Sequence, residues 1–196
     1  ILKKITLFIL LFVNLCTAQS KDNLEFGIIT ALSISNVSDS YNQRTKSLVE
    51  YSGGAFGNYY LSEQWSLKLK AIYERKGYAE GLYENRETDV AFNMISVPVT
   101  AHFYFGNSNN WYINLGPYIG FMIAAKATSF NVDVTRLFNS TDFGIAGGIG
   151  YKLPIGEKLD VFAEIDNQTG LSDILVDNPG SAVRNNRLSF NLGIIF

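Results

Sequence analysis

His102 is the one histidine in the chain. As a general base it needs a nucleophile within hydrogen-bond reach and an acid to hold the ring. Thr100 and Tyr104 share its strand face and offer hydroxyls, but no base–nucleophile–acid constellation accompanies them. The bland reading, a hydrogen-bonded structural residue, is the stronger one. Asp160, Glu164 and Asp166 recur at even spacing and so share one strand face. Such a stack could be an acid/base pair or a cation site. The alternative is ion pairing across a narrow interior with Lys68, Lys70, Lys152 and Arg187. An unpaired buried ion is costly, so pairing is the expectation. The full expected network is Lys68, Lys70, Glu74, His102, Lys126, Lys152, Asp160, Glu164, Asp166 and Arg187. The glycines of 142–150 superficially resemble a phosphate loop, but no helix follows them. They make room for bulky neighbours such as Tyr118 and Phe162. Asp39, Asp89, Asp133, Asp173 and Asp177 lack the spacing of a calcium loop. The expectation is therefore no catalytic residue, no metal and no cofactor.

What positions these side chains is a set of alternating strands. The organising stretch is Ile95 to Phe121. On its first strand Ile95, Val97, Val99, Ala101, Phe103 and Phe105 share a face opposite Ser96, Pro98, Thr100, His102 and Tyr104. Residues 106–110, GNSNN, make a turn. On the second strand Trp111, Ile113, Leu115, Pro117, Ile119 and Phe121 oppose Tyr112, Asn114, Gly116, Tyr118 and Gly120.

Eight such strands are predicted, with connections alternating long and short. The long loops are 36–50, 79–89, about 128–141 and 172–186. Strand two is predicted from about Gly53 to Ser62. In strand four, Val90, Phe92 and Met94 are even while the apolar set from Ile95 onward is odd. A β-bulge near Met94 and Ile95 is the expected cause of that change of phase. Long loops on one side, short turns on the other and an even strand count are the pattern of a transmembrane barrel. The fold class is thus all-β: an eight-stranded antiparallel up-and-down transmembrane β-barrel, preceded by a cleavable signal peptide.

The signal peptide is expected over residues 1–18, with Lys3-Lys4, an apolar run from Ile5 to Leu15 and cleavage after Ala18. Lipidation of Cys16 is the competing reading, disfavoured by the bulky Leu15 before it. The barrel domain is 19–196. Cleavage takes Lys3 and Lys4 and no acid, so 16 basic residues fall to 14 against 18 acidic ones. No basic stripe exists to bind nucleic acid. The single cysteine leaves with the signal, so there is no disulfide framework.

A soluble lipocalin-like barrel also alternates, so the direction of the faces has to be argued. An eight-stranded barrel has just enough interior for side chains of ordinary size. Pointing Trp65, Tyr73, Phe103, Phe105, Trp111, Phe121, Phe143, Tyr151, Phe190 and Phe196 inward would overfill it. The opposite faces carry glycine, alanine and charges of both signs, which can pair. Charged residues are 17% of the chain, below the ~25% of a typical soluble domain. Aromatic residues Tyr59, Trp65, Phe103, Phe105, Trp111, Tyr151 and Phe196 lie beside the short turns, where an interfacial girdle belongs. Apolar faces are therefore expected to meet outer-membrane lipid, with the charges in the lumen.

The chain resembles the PorT-like outer-membrane β-barrel proteins of Gram-negative bacteria. The matching residues are Tyr73-Glu74-Arg75-Lys76-Gly77, Ile95-Ser96-Val97-Pro98-Val99 and Gly116-Pro117-Tyr118-Ile119-Gly120. Asp142-Phe143-Gly144 with Gly147-Gly148-Ile149-Gly150-Tyr151, and Gly170-Leu171-Ser172-Asp173-Ile174, complete the match. Strand seven departs from the pattern at Asn167, where a tyrosine is expected. The resemblance implies an eight-stranded outer-membrane barrel. It also implies that Phe196 is the aromatic signal read by the barrel-assembly machinery, a partner during biogenesis. The family's namesake belongs to a protein-secretion and gliding apparatus.

The functional expectation is a non-enzymatic barrel with a side-chain-filled lumen. It would be structural, or would bind a membrane or secreted protein partner through its extracellular loops. Tyr41, Tyr83, Phe130, Leu137 and Phe138 are the apolar loop residues that could make such contacts or fold over the rim. Rival readings are a narrow ion-selective pore, an accessory of a secretion apparatus, and a lipid-modifying enzyme using His102.

Overall fold

In the computed structural model, residues 23–38, 45–84, 86–156 and 159–196 are described, Tyr83 by its backbone only. The expected signal peptide and Tyr41 lie outside them. The strands are β1 (Leu24–Val37), β2 (Lys46–Tyr60), β3 (Trp65–Tyr83), β4 (Arg86–Phe105), β5 (Trp111–Ala127), β6 (Val132–Asp133), β7 (Thr141–Pro154), β8 (Asp160–Gly170) and β9 (Asn185–Ile195). β6 is a two-residue rung on the free end of β5. The other eight are staves, each antiparallel to its sequence neighbour, and β1 pairs with β9 to close the cylinder. Closure removes every sheet edge, which is what lets a β-structure cross a bilayer with its backbone satisfied.

The pleat sends apolar residues outward. Phe190 is 50% exposed and Trp111 48%, while Lys70 is 1% and Glu74 0%. On β3 the outward set is Trp65, Leu67, Leu69, Ala71 and Tyr73, ending at Arg75. That run rises about 25 Å at ~3.3 Å per residue and a tilt of ~40°, the height of a lipid-facing band.

Three expectations are corrected. β2 starts at Lys46 rather than near Gly53, because β1 continues to pair with it up to Ser35↔Leu48. Residues 79–89 do not form a loop: β3 and β4 run on as a hairpin to Tyr83↔Arg86. The bulge lies on β5, not β4. Asn93 pairs with Ala124 and Met94 with Met122, so Ile123 is the extra residue. The even positions of β4 are buried from Thr88 to Tyr104 without a change of phase. Val90, Phe92 and Met94 therefore point inward, although their chemistry is that of the outer wall.

Candidate lumen network and loop-side seal

The interior is a column of polar tiers under an apolar lid. At the short-turn mouth, Lys152 Nζ reaches Glu25 Oε1 at 3.3 Å and Asp160 Oδ2 at 3.5 Å. It also donates to Tyr60 Oη at 3.1 Å, and Tyr60 donates to Glu25 Oε2 at 3.0 Å. β1, β2, β7 and β8 supply these groups.

Above this tier the Lys68 ammonium stands among three rings, 4.7 Å from the centre of Phe56, 5.1 Å from Phe162 and 5.2 Å from Tyr112. Among the described residues no carboxylate lies within ion-pair distance of it. Ring quadrupoles supply part of the missing negative potential. His102 sits beside it, fully buried, with Nε2 3.0 Å from Thr100 Oγ1. Its Nδ1 has no hydrogen-bond partner. The His102 ring lies between Tyr104 and Tyr112, with ring centres 6.2 Å and 5.0 Å away.

The central tier carries the tightest ion pairing. Lys70 Nζ is 2.5 Å from Glu164 Oε1, and Glu164 also accepts from the amides of Asn114 at 3.1 Å and Asn191 at 2.9 Å. Arg187 donates one amino group to Asp166 at 2.5 Å and the other to Glu74. Glu74 also accepts from Ser96 and lies 3.0 Å from Lys76 Nζ. Lys76 in turn donates to Gln168 at 2.8 Å. One tier higher, Asp142 accepts from Tyr118 at 3.1 Å, Asn185 at 3.1 Å and Ser172 at 2.9 Å. Glu164, Glu74 and Asp142 thus each have several donors, and Asp166 has Arg187 with Lys70 Nζ 3.9 Å away, the condition under which buried ions are tolerable.

The lid is a packed cluster of Val90, Phe92, Met94, Ala125, Ala127, Val134, Phe138 and Ile174. Phe138 meets Phe92 with ring centres 4.8 Å apart. It belongs to the β5–β7 loop and Ile174 to the β8–β9 loop. The Asn139 side-chain amide ties these loops by donating to the carbonyls of Asp173 and Leu175, each at 2.9 Å. Asp173 anchors its own loop by accepting from the backbone of Leu175 at 3.0 Å and Val183 at 3.1 Å. An Asn178 amide adds a third bond at 2.8 Å. Burial pushes the Asp173 carboxyl up, but these hydrogen bonds outweigh it and hold the pKa below the ordinary aspartate value.

Of the expected network, Lys68, Lys70, Glu74, His102, Glu164, Asp166 and Arg187 are buried in the lumen, with Lys152 and Asp160 half-buried at its mouth. Lys126 is a correction. Beyond the Ile123 bulge the faces of β5 exchange, which buries Ala125 and Ala127 and leaves Lys126 exposed. Asp142 and Glu25 belong to the network and were missing from the expected set. Their strand parity was the available signal. Of the expected girdle, Tyr59, Trp65, Trp111 and Phe196 are exposed beside the short turns, with Phe103, Phe105 and Tyr151 half-exposed. Trp65 packs 4.9 Å from Phe103, and Trp111 4.9 Å from Tyr151. Phe196 donates its N–H to the Phe26 carbonyl at 2.9 Å.

Closure, inside-out polarity and this filled column lead to the comparison with known proteins. The profile of the outer membrane protein beta-barrel domain matches residues 17–176. The chain belongs to that family. Its place is the outer membrane, with the apolar wall in lipid. Among solved structures it is similar to the outer membrane protein OprG from Pseudomonas aeruginosa. The TM-score is 0.55 at 13% identity, with 90% of this chain and 97% of that one covered, a likeness of fold. Neisserial surface protein A gives a TM-score of 0.49 at 17% identity, covering 88% of this chain and 96% of that one. Ail, the attachment invasion locus protein of Yersinia pestis, gives 0.47 at 16%, covering 89% and 98%. No curated protein matches the chain by sequence.

Proposed function

We propose that this outer-membrane barrel is a non-catalytic, non-conducting platform whose extracellular loops bind a partner protein. The observation that carries the reading is the double closure of the lumen. The Arg187–Glu74–Asp166 clamp bridges it at mid-height, and the Phe92–Phe138–Ile174 lid covers the mouth above. A solute would have to strip Arg187 from two carboxylates and then part a dry apolar cluster. With the lumen occupied, the surface left for function is the loop side. There β3 and β4 run on beyond the lipid-facing band as a hairpin. Tyr51, Val49, Leu82, Leu137 and Val176 are exposed on that side. Apolar side chains exposed on the water-facing side of the barrel, on strand extensions and loops alike, are a common mark of an interaction surface.

The absence of an orienting acid at His102 speaks against the lipid-modifying reading. The PorT-like resemblance supports a finer version, in which the partner is a component of a secretion apparatus. Planar-bilayer recording with liposome swelling tests the closed lumen, and steady conductance or solute entry overturns it. Photo-cross-linking from Tyr51 and Leu82 in intact outer membranes tests the platform. A discrete protein adduct supports it, and adducts to lipid alone overturn it.

A further inference from the structure

The outer wall is not uniformly convex. At the height of the short-turn girdle a depression of about 510 Å³ is sunk into the sheet where β7, β8, β9 and β1 run side by side. Its cause is an alternation of long and short side chains along one row of the pleat. Tyr151 pairs with Ala163, Ala163 with Leu192 and Leu192 with Thr30. All four residues face out. Ala163 and Thr30 are the gaps, Tyr151 and Leu192 the ridges. The next row toward the turns, with Leu153 and Ile194, closes the lower side. The lining is almost wholly apolar. Its two hydroxyls are both engaged: Thr30 donates to the Ser52 carbonyl at 3.3 Å, and the Tyr151 hydroxyl accepts from the Asn110 amide at 3.5 Å.

We propose that this depression is a binding site for one acyl chain of a phospholipid from the leaflet nearest the short turns. The occupant follows from where the depression lies. It is continuous with the lipid-facing belt, and the girdle residue Tyr151 forms one of its walls, so only the bilayer has access to it. A second barrel would bring a convex wall, and two cylinders touch along a line without filling a hollow. A flexible hydrocarbon chain can fill it. In lipid no hydrophobic gain separates one apolar surface from another, and preference comes from the density of van der Waals contact. A hollow that surrounds a chain on three sides offers more such contacts than the convex wall elsewhere.

The test uses the folded barrel in vesicles of phosphatidylethanolamine doped with a phospholipid that carries a photoactivatable diazirine on its acyl chain. After irradiation, adducts are mapped by peptide mass spectrometry. Adducts should concentrate on the β8 and β9 segments around Ala163 and Leu192. An excess of about threefold over the equivalent height of β3 and β4 is expected, the preference that a handful of extra carbon–carbon contacts confers. Ala163→Phe fills the hollow from its outward face and should remove that excess while leaving labelling of β3 and β4 unchanged. Thr30→Leu fills the other gap and should act in the same direction, with heat-modifiable gel mobility reporting that both variants are folded. Uniform labelling around the belt overturns the proposal. So does an excess that survives both substitutions, or a protein–protein adduct between two copies through β8 and β9.

Discussion

The guanidinium of Arg187 on β9 is hydrogen-bonded to the carboxylate of Glu74 on β3, a strand separated from it by β1 and β2. The pair crosses the lumen instead of running along one wall. Its partner Asp166, on the adjacent β8, fixes the other end of the guanidinium at 2.5 Å. Two non-adjacent arcs of the cylinder are thus joined by one planar fork, which lysine could not match because it lacks the bidentate geometry.

Removing Glu74 tests that bridge. Glu74→Ala leaves the buried Arg187 and Lys76 each short of a carboxylate, a loss of about 3–5 kcal/mol. Pairing it with Arg187→Met, which removes the stranded cation, should recover part of that loss. Urea unfolding of the barrel in detergent, followed by heat-modifiable mobility, gives both values. A single variant as stable as the parent would show that the fork contributes nothing.

The expected and observed positions of Lys126 give a second prediction. Lys126 is exposed on the outer face at the loop side, and Lys70 is sealed in the lumen. A membrane-impermeant amine reagent applied to intact cells should modify Lys126 and leave Lys70 unlabelled. Lys126→Ala should change stability by no more than ~0.5 kcal/mol, as surface substitutions do. Protection of Lys126 would return it to the lumen and contradict the β5 bulge.

That bulge also marks where the sequence stops being readable. Alternation in residues 95–121 determined both strands and the faces of Ser96, His102, Tyr112 and Asn114, since lipid outside and ions inside impose opposite chemistries on odd and even positions. The rule fails where the environments exchange. Above Arg75 the outer wall meets water, while the mouth is covered by Phe138 and Ile174 from distant loops. Val90, Phe92 and Met94 face that lid, so they look like outer-wall residues while keeping the inward parity of His102. A one-residue insertion on β4 and one on β5 leave the same local apolar pattern. Only the pairing of Met94 with Met122 tells them apart. Lys126, expected in the lumen by parity, lies on the outer face for that reason. The clamp was legible as two sets of opposite charge, but which carboxylate meets Arg187 depends on register around the whole cylinder.

Asp173 supplies a pH dependence on the loop side. Its carboxylate is held by the N–H groups of Leu175 and Val183 and by Asn178, and its pKa lies below the ordinary value. A depressed folded-state pKa means the unfolded loop takes the proton first. The contribution is therefore complete above the unfolded aspartate value of ~3.9, and fades as pH falls through the lower folded value. Carbon-13 titration of the Asp173 carboxyl in detergent should give a midpoint under that of a model aspartate. Asp173→Ala should make residues 171–184 more readily cut by protease at neutral pH than in the parent protein. A midpoint at or above the model value would mean that burial outweighs the hydrogen bonds.

The last prediction concerns room in the lumen. A Cβ built on Gly150 of β7 would lie 2.3 Å from the Tyr112 ring, and no other atom is as close. The two residues are direct partners across the β5–β7 ladder, which sets the ring over the glycine. The ring is also held by His102 and by the Lys68 ammonium, and has little freedom to withdraw. Gly150→Val should destabilise the barrel by about 1–3 kcal/mol through overpacking. Tyr112→Leu alone removes the ring contacts to Lys68 and His102, at a cost of similar size. Combined, the two changes should cost clearly less than their sum, because the leucine vacates the space that the valine needs. A double-mutant cycle by urea unfolding measures that coupling. Strict additivity would show that Gly150 is there for the backbone geometry of β7 and not for Tyr112.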